Sequence, residues 1–434
     1  MGYRSPRPFP DANLAKHFSK KKNRPPQTER RRDVFEIVSG ALGPVPACKL
    51  RIRPLTVFVG PQGTGKSLVA QLLFAMEELP FLLYAGSLER GWSRKSDPEA
   101  FRWVLDRLRS ADRAFATFSN PTTSIRWTRG SRTEWPKAAL ETISFSMYQK
   151  TRQINLRQDT RRSIEALRKT IASSKQPPLH HAIYFPTERL SVAGQRSRLA
   201  GKAFPQPITY DVFEHWLEEH VVPEVSHWTG GVPPNETGRK IDALGLEALR
   251  GRARKLGERW KWEFGSGRSS HKFDLDMASS GQRANFAIPY IAKALFELRG
   301  TGDVSEQLTL LIEEPEISLH PASQWAVMKL LALLVNSGFR VVLTTHSLTI
   351  VYALNNLLQA ALIKQEGERI PEPDLRLDER DVAVYAFHEG EKPRRLIDRR
   401  RAFIDEAELG RVDEQLSAEL SRVSALLPPK GEST

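Results

Sequence analysis

Gly60-Pro61-Gln62-Gly63-Thr64-Gly65-Lys66-Ser67 fits the full phosphate-loop spacing, with a glycine, four residues and then Gly-Lys-Ser. Each residue type suits a polyphosphate. The glycines let the backbone curl so that N–H groups and a helix N-terminus face phosphate oxygens. Lys66 offers a cation to the terminal phosphates, and the Ser67 hydroxyl is a hard oxygen donor for Mg²⁺. A nucleoside triphosphate uses all three. Two further places carry chemistry of the same kind: the acidic pair Glu313-Glu314, and His346 in Thr344-Thr345-His346-Ser347. Phosphoryl transfer needs positioning, charge neutralisation and an oriented water more than covalent chemistry. A lysine, an acidic site for a cation, a second carboxylate and a γ-phosphate sensor form a sufficient set.

These residues need elements that end in the right place. The apolar run Leu55-Thr56-Val57-Phe58-Val59 precedes the loop and a helix-like apolar run, 68–76, follows it, giving the strand–loop–helix setting the motif requires. Residues 308–312 form a continuous apolar run, as expected of a strand buried on both faces of a parallel sheet. That strand delivers Glu313 and Glu314 at its C-terminal end, and Pro315 stops its continuation. The run 339–345 repeats the pattern and ends at His346. Ligands of open α/β sheets bind outside the carboxyl ends of the strands.

The order of phosphate loop, Ala278-Ser279-Ser280-Gly281-Gln282, Glu313-Glu314-Pro315-Glu316 and Thr344-Thr345-His346-Ser347 resembles the ABC-type ATPases of the soluble RecF-like, Rad50-like and OLD-family branch. Within that branch, the runs 312–321 and 344–347 resemble the ATPase subunits of prokaryotic anti-phage systems such as Gabija, Septu and PARIS. The likeness covers about 35–76 and 277–356. It implies an α/β fold, a phosphate-loop ATPase head with a mixed or parallel sheet, an antiparallel β layer and a helical insertion. It implies ATP and Mg²⁺ bound by Gly60, Pro61, Gln62, Gly63, Thr64, Gly65, Lys66 and Ser67. Glu313 would hold Mg²⁺ through water together with Ser67, Glu314 would polarise the attacking water, and His346 would touch the γ-phosphate. Ser279, Ser280, Gly281 and Gln282 would meet ATP bound to a second copy, implying a homodimer or higher homo-oligomer.

The chain departs from the transporter relatives in two ways. Its first acidic position is Glu313 where those carry Asp, and its signature reads Ala-Ser-Ser-Gly-Gln after an interval about twice as long as theirs. The family's Gln-loop glutamine has no clear counterpart; the strand-like run 181–185 leads into Pro186-Thr187-Glu188-Arg189, and Gln195 is the remaining candidate. The single Asp-x-Asp, Asp274-Leu275-Asp276, stands before the signature, and the sequence after His346 carries none. The resemblance therefore places nuclease chemistry of TOPRIM type on a separate effector protein.

With 434 residues and 40% hydrophobic content, the chain has material for a large core. No apolar stretch approaches membrane-spanning length, so no membrane and a cytoplasmic location are expected. Cys48 is the single cysteine, which excludes an intramolecular disulfide, and its neighbours suggest a buried strand position. Of the net charge of +14, residues 1–272 carry +21 and residues 273–434 carry −7. A basic field of this kind favours polyanions such as DNA or RNA, and a generic basic surface is the competing reading.

Residues 1–32 read as a basic disordered arm, which either grips phosphates or is a plain tail. Residues 33–84 read as an N-lobe with the phosphate loop and 85–275 as a basic helical and β insertion. Residues 276–363 read as a C-lobe, and 364–434 as a strand and an amphipathic helix striped by Leu409, Val412, Leu416, Leu420, Val423 and Leu427. The insertion contains one basic stretch from Arg152 to Lys169 and another over 250–262, where Trp260 and Trp262 interleave with cations. Those tryptophans are either base-stacking platforms or core, and at spacing two they share a face only in a strand. The expected function is an ATP-dependent sensor or scaffold that controls a separate effector. The alternatives are a RecF-like or Rad50-like ATPase that clamps DNA, and a scaffold that binds ATP without hydrolysing it.

Overall fold

The computed structural model describes residues 33–90, 97–107, 122–129, 142–148, 153–173, 178–187, 213, 216–217, 236–256, 259–265, 271–298, 304–363, 370–398, 400–405, 418–419 and 421–422. The basic arm 1–32, Gln195 and most of the striped segment 409–427 lie outside them.

Among the described residues, two large sheets organise the chain. The first is antiparallel, with strand order β2-β1-β4-β5-β6: β1 Asp33–Leu42, β2 Val45–Ile52, β4 Thr122–Thr128, β5 Thr142–Tyr148 and β6 Gln153–Leu156. Its strands alternate as a half-buried sheet must. Thr123, Ile125 and Trp127 of β4 are buried, while the residues between them face outward. The second sheet has the order β14-β13-β3-β12-β11-β7. Its strands are β3 Leu55–Val59, β7 His180–Phe185, β11 Val304–Glu313, β12 Arg340–Thr345, β13 Val382–Ala386 and the short β14 Arg394–Arg395. Pairing is parallel throughout except for β14. The near-continuous apolar runs of β3, β7 and β13 are buried along their whole length, as strands covered on both faces are.

Helix Lys66–Glu77 lies against β7, β11 and β12, and helix Pro321–Asn336 packs on β12 and on helices Glu236–Leu249 and Leu348–Ala360. A small third sheet, β8 Arg252–Leu256, β9 Arg259–Phe264 and β10 His271–Asp274, leads into the signature segment. The hairpin β15 Ile397–Asp398 with β16 Phe403–Ile404 rests on helix Leu348–Ala360, where Asn355 exchanges two hydrogen bonds with the Ile404 backbone.

The interval 85–275 was expected as one inserted region, and here the structure corrects that expectation. Strands β4 and β5 extend the sheet begun by β1 and β2, and β7 is a strand of the central sheet beside β11. Trp260 and Trp262 do share one face of a strand, and that face is the core: they are 6% and 0% exposed. Two of the cations between and beside them pair with acids, Lys261 with Asp274 at 2.6 Å and Arg254 with Glu263 at 3.2 Å. The base-stacking reading of this segment is therefore overturned by burial. Cys48 sits on β2 as expected but is half-buried rather than buried.

A buried ionic network joins the two large sheets. Arg340 of β12 pairs with Asp33 of β1 and, at 3.2 Å, with Glu77 at the end of the helix that follows the phosphate loop. Glu77 also pairs with Arg129, which follows β4. Asp33 and Glu77 side chains are each 2% exposed, so removing Arg340 would take a cation from two carboxylates in a low-dielectric interior, of which Glu77 keeps Arg129. Arg340→Ala is expected to lower unfolding free energy by about 3–5 kcal/mol in urea denaturation. Burial pushes the Cys48 thiol up to about 11. A disulfide reagent at pH 8 is therefore expected to label Cys48 on the order of a hundredfold more slowly than a free thiol.

Candidate functional site

The parallel pairs run in register to a common edge. Val59 pairs with Thr345, Thr344 with Glu313, and Ile312 with Phe185. Four strands thus end together, and the residues that follow them meet: the phosphate loop after β3, Glu314 after β11, His346 after β12 and Thr187 after β7. Backbone bonds hold these ends in place. Gly60 N–H donates to Thr345 O at 3.3 Å, Glu314 N–H to Thr344 O at 2.9 Å, and Phe387 N–H to Val59 O at 2.8 Å.

The phosphate loop requires its glycines sterically as well as conformationally. Gly60, at φ 143°, lies so close to Phe387 that a Cβ there would overlap the Phe387 carbonyl oxygen. Gly65, at φ 92°, caps the helix in the left-handed region, and a Cβ there would run into Val45 at the tip of the β1–β2 hairpin. The antiparallel sheet therefore buttresses the loop directly. Lys66 is buried and donates to the carbonyl oxygens of Gly60 at 2.7 Å and Pro61 at 2.5 Å. Thr64 Oγ1 donates to the Pro61 carbonyl at 2.9 Å, and Ser67 is half-buried in the first helical turn. Burial pushes the Lys66 ammonium down from its ordinary value, against the opposing pull of Glu314 and Glu316.

The two members of the acidic pair have different surroundings. Glu313 is 5% exposed and accepts three hydrogen bonds. Tyr184 O–H donates to Oε1 at 2.5 Å, and the Thr187 N–H and hydroxyl donate to Oε2 at 3.1 and 2.7 Å. Glu314 sits at φ 43°, a left-handed conformation that costs a non-glycine residue on the order of 1–3 kcal/mol. Its carboxylate lies 3.6 Å from His346 Nδ1. Burial raises the Glu314 carboxyl above the usual range, His346 opposes that rise, and the charges of Glu316 and Glu313 add to it. A carboxylate with raised proton affinity next to a partly exposed histidine suits general-base work.

Glu316 was visible in the sequence only as part of an acidic run, and the structure gives it a place of its own. The turn after β11 folds it back onto the end of β12. There its Oε1 accepts from Thr345 Oγ1 at 2.6 Å and from the His346 N–H at 3.0 Å. Thr187 and Tyr184 were likewise not singled out, although the stop at Pro186-Thr187 after an apolar strand was legible.

The signature is joined to the same acidic turn. Ser279 caps helix Ser280–Asn285 in a reciprocal capping box with Gln282, and Gln282 also donates to Leu249 O at 2.9 Å. Ser279 and Ser280 remain exposed, whereas Gly281 is pressed against the Ser318 carbonyl so tightly that a Cβ would overlap it. Asn285 donates to Ile317 O at 3.1 Å. Among the described residues, no group of three or more His, Cys, Asp and Glu side chains is arranged to hold a metal ion.

Gly60→Ala is expected to weaken binding of a fluorescent ATP analogue by at least tenfold, because both φ and the Phe387 backbone must give way. Gly63→Ala is the control: φ is also positive but nothing lies within 4 Å of a Cβ there, and a smaller loss is expected.

A family model described as AAA ATPase domain matches residues 136–351, an interval that begins after the phosphate loop and contains the signature, the acidic run and His346. No curated protein matches significantly. Among solved structures, the SMC head domain from Thermotoga maritima aligns at 11% identity and TM-score 0.40, over 85% of this chain and all of that one. An SmcHead bound to the C-winged helix domain of ScpA aligns at 13% and 0.43, over 85% of this chain and 97% of that one. An Smc head domain with an extended coiled coil bound to the C-terminal domain of ScpA, derived from Pyrococcus furiosus, aligns at 11% and 0.43, over 89% of this chain and all of that one. Among the described residues, no helix is long and apolar enough to cross a membrane. Together, the complete phosphate loop, the acidic strand end beside it and the AAA ATPase domain match support an ATPase of that type.

Proposed function

We propose that this protein binds ATP with Mg²⁺ and hydrolyses it in a homodimer, and that the cycle controls a separate effector as part of an anti-phage defence system. The observation that carries the hydrolytic part is the shared edge on which the phosphate loop, Glu314 and His346 stand, with Glu314 3.6 Å from His346. Lys66 is placed by the loop itself; on arrival of a triphosphate its ammonium exchanges the Gly60 and Pro61 carbonyls for phosphate oxygens. Glu314 then takes the proton of the attacking water, helped by its raised proton affinity, and His346 holds the developing charge on the γ-phosphate.

Magnesium fits the donor set, which is all oxygen. Mg²⁺ keeps most of its waters and is bound by few protein groups plus substrate phosphates. Ser67 offers a hydroxyl, and Glu313, with three of its acceptor positions already taken by Tyr184 and Thr187, is suited to hold the ion through a water. Bound there, the ion would neutralise phosphate charge. The dimeric arrangement is supported by exposure of Ser279 and Ser280 at the signature. The defence role and the separate effector rest on the resemblance of 312–321 and 344–347 to anti-phage ATPase subunits. A DNA-clamping function finds less support, since the tryptophans interleaved with cations face the core and Arg254 and Lys261 beside them are paired with acids.

Glu314→Gln is expected to lower kcat at least a hundredfold while ATP still binds, and to accumulate as an ATP-dependent dimer in light scattering. Wild-type protein that binds ATP without turnover, with the variant behaving identically, would establish the non-hydrolysing scaffold instead.

A further inference from the structure

Glu316 lies three residues beyond the acidic strand end, is 5% exposed, and bonds to β12 rather than to its own turn. Its Oε1 accepts both the Thr345 hydroxyl and the His346 backbone N–H, and Thr345 Oγ1 in turn accepts the Ser347 N–H at 3.0 Å. These three bonds define the backbone at the base of the His346 side chain. Its other oxygen, Oε2, is buried with no hydrogen-bond partner. A buried carboxylate that is incompletely satisfied is costly, and an apolar residue at this position would avoid the cost.

We infer that Glu316 is a positioning residue for ATP hydrolysis, fixing the strand end that presents His346 relative to the turn that presents Glu314. This inference rests on the hydrolytic reading above. The left-handed backbone at Glu314 and the Glu316 anchor belong to one turn: Ile317 N–H donates back to Glu314 O at 3.1 Å, so the anchor at one end constrains the carboxylate at the other. The spacing of Glu314 and His346 is thereby set across two strands. The route of action is through the Thr345 hydroxyl, the His346 backbone N–H and the His346 ring, whose Nδ1 lies 3.8 Å from Oε1, with Glu316 touching no reacting atom.

Steady-state ATP hydrolysis by Glu316→Ala, Glu316→Gln and Thr345→Val, each alone and combined with His346→Ala, tests this. Glu316→Ala is expected to lose roughly tenfold or more in kcat with KM changed less than about threefold. Glu316→Gln keeps an acceptor for both donors and is expected to retain most turnover. Thr345→Val, which deletes one donor while nearly preserving shape, is expected to show the same kcat-weighted loss in smaller measure, and it serves if Glu316→Ala does not fold. In the His346→Ala background, adding Glu316→Ala or Thr345→Val is expected to cost little more, because residues acting as a unit are non-additive. Turnover of Glu316→Ala within about twofold of wild type, equal losses in the Gln and Ala variants, or fully additive losses with His346→Ala would each overturn the role while leaving hydrolysis intact. Wild-type protein that binds ATP without turnover would overturn the hydrolytic reading and this role with it.

Discussion

In-register parallel pairing of β7, β11, β12 and β3 is the constraint on which the site depends. Parallel strands deliver their C-terminal ends to one side of a sheet, and the observed register makes four of those ends coincide within a residue. A slip of β11 by one residue against β7 and β12 would turn Glu313 away from Tyr184 and Thr187 and move Glu314 off His346. The apolar interiors of the strands, such as Leu310, Leu311, Val342 and Leu343, are buried alike, so the register is fixed where they end: a slip would draw the polar tips inward and break the bonds of Gly60 N–H to Thr345 O and Glu314 N–H to Thr344 O. Core packing and active-site geometry are therefore one requirement.

Around that edge, two kinds of polar contact stabilise groups that hydrophobic burial alone would expel. The Asp33–Arg340–Glu77–Arg129 network lies at the junction of the sheets and helix Lys66–Glu77. It ties the layer that buttresses Gly65 to the strand that carries His346. The second kind lies within the site, where Tyr184 and Thr187 hold Glu313 and the turn 314–318 holds positive φ at both Glu314 and Ser318. Strain of this sort persists only where surrounding bonds over-determine it. The signature helix contributes to that over-determination through Asn285 and Gly281, so the surface proposed to meet a second copy and the turn proposed to hold the catalytic carboxylate are one bonded unit.

Much of this was legible in the residues. The loop 60–67 carries its own local code, and the apolar runs ending at Glu313 and Thr345 declare buried strands with polar tips. Sheet membership was less legible. His181 to Phe185 reads as a strand, yet nothing local says that it pairs with β11, more than a hundred residues later, and not with its neighbours in a separate insertion. The aromatic–cation pattern at Trp260 and Trp262 was ambiguous for a related reason: alternation in a strand places the two types on opposite faces, and only the fold tells which face is inside. Glu316 escaped notice because its role arises from a turn that brings it back onto another strand, a geometry no spacing rule encodes.

Hydrogen–deuterium exchange with and without a non-hydrolysable ATP analogue and Mg²⁺ tests most directly whether the strand ends form one nucleotide site. Added nucleotide is expected to protect 60–67, 313–317 and 344–347 together, at the same half-saturating concentration. Protection confined to 60–67, or arising in the three segments at different concentrations, would contradict it.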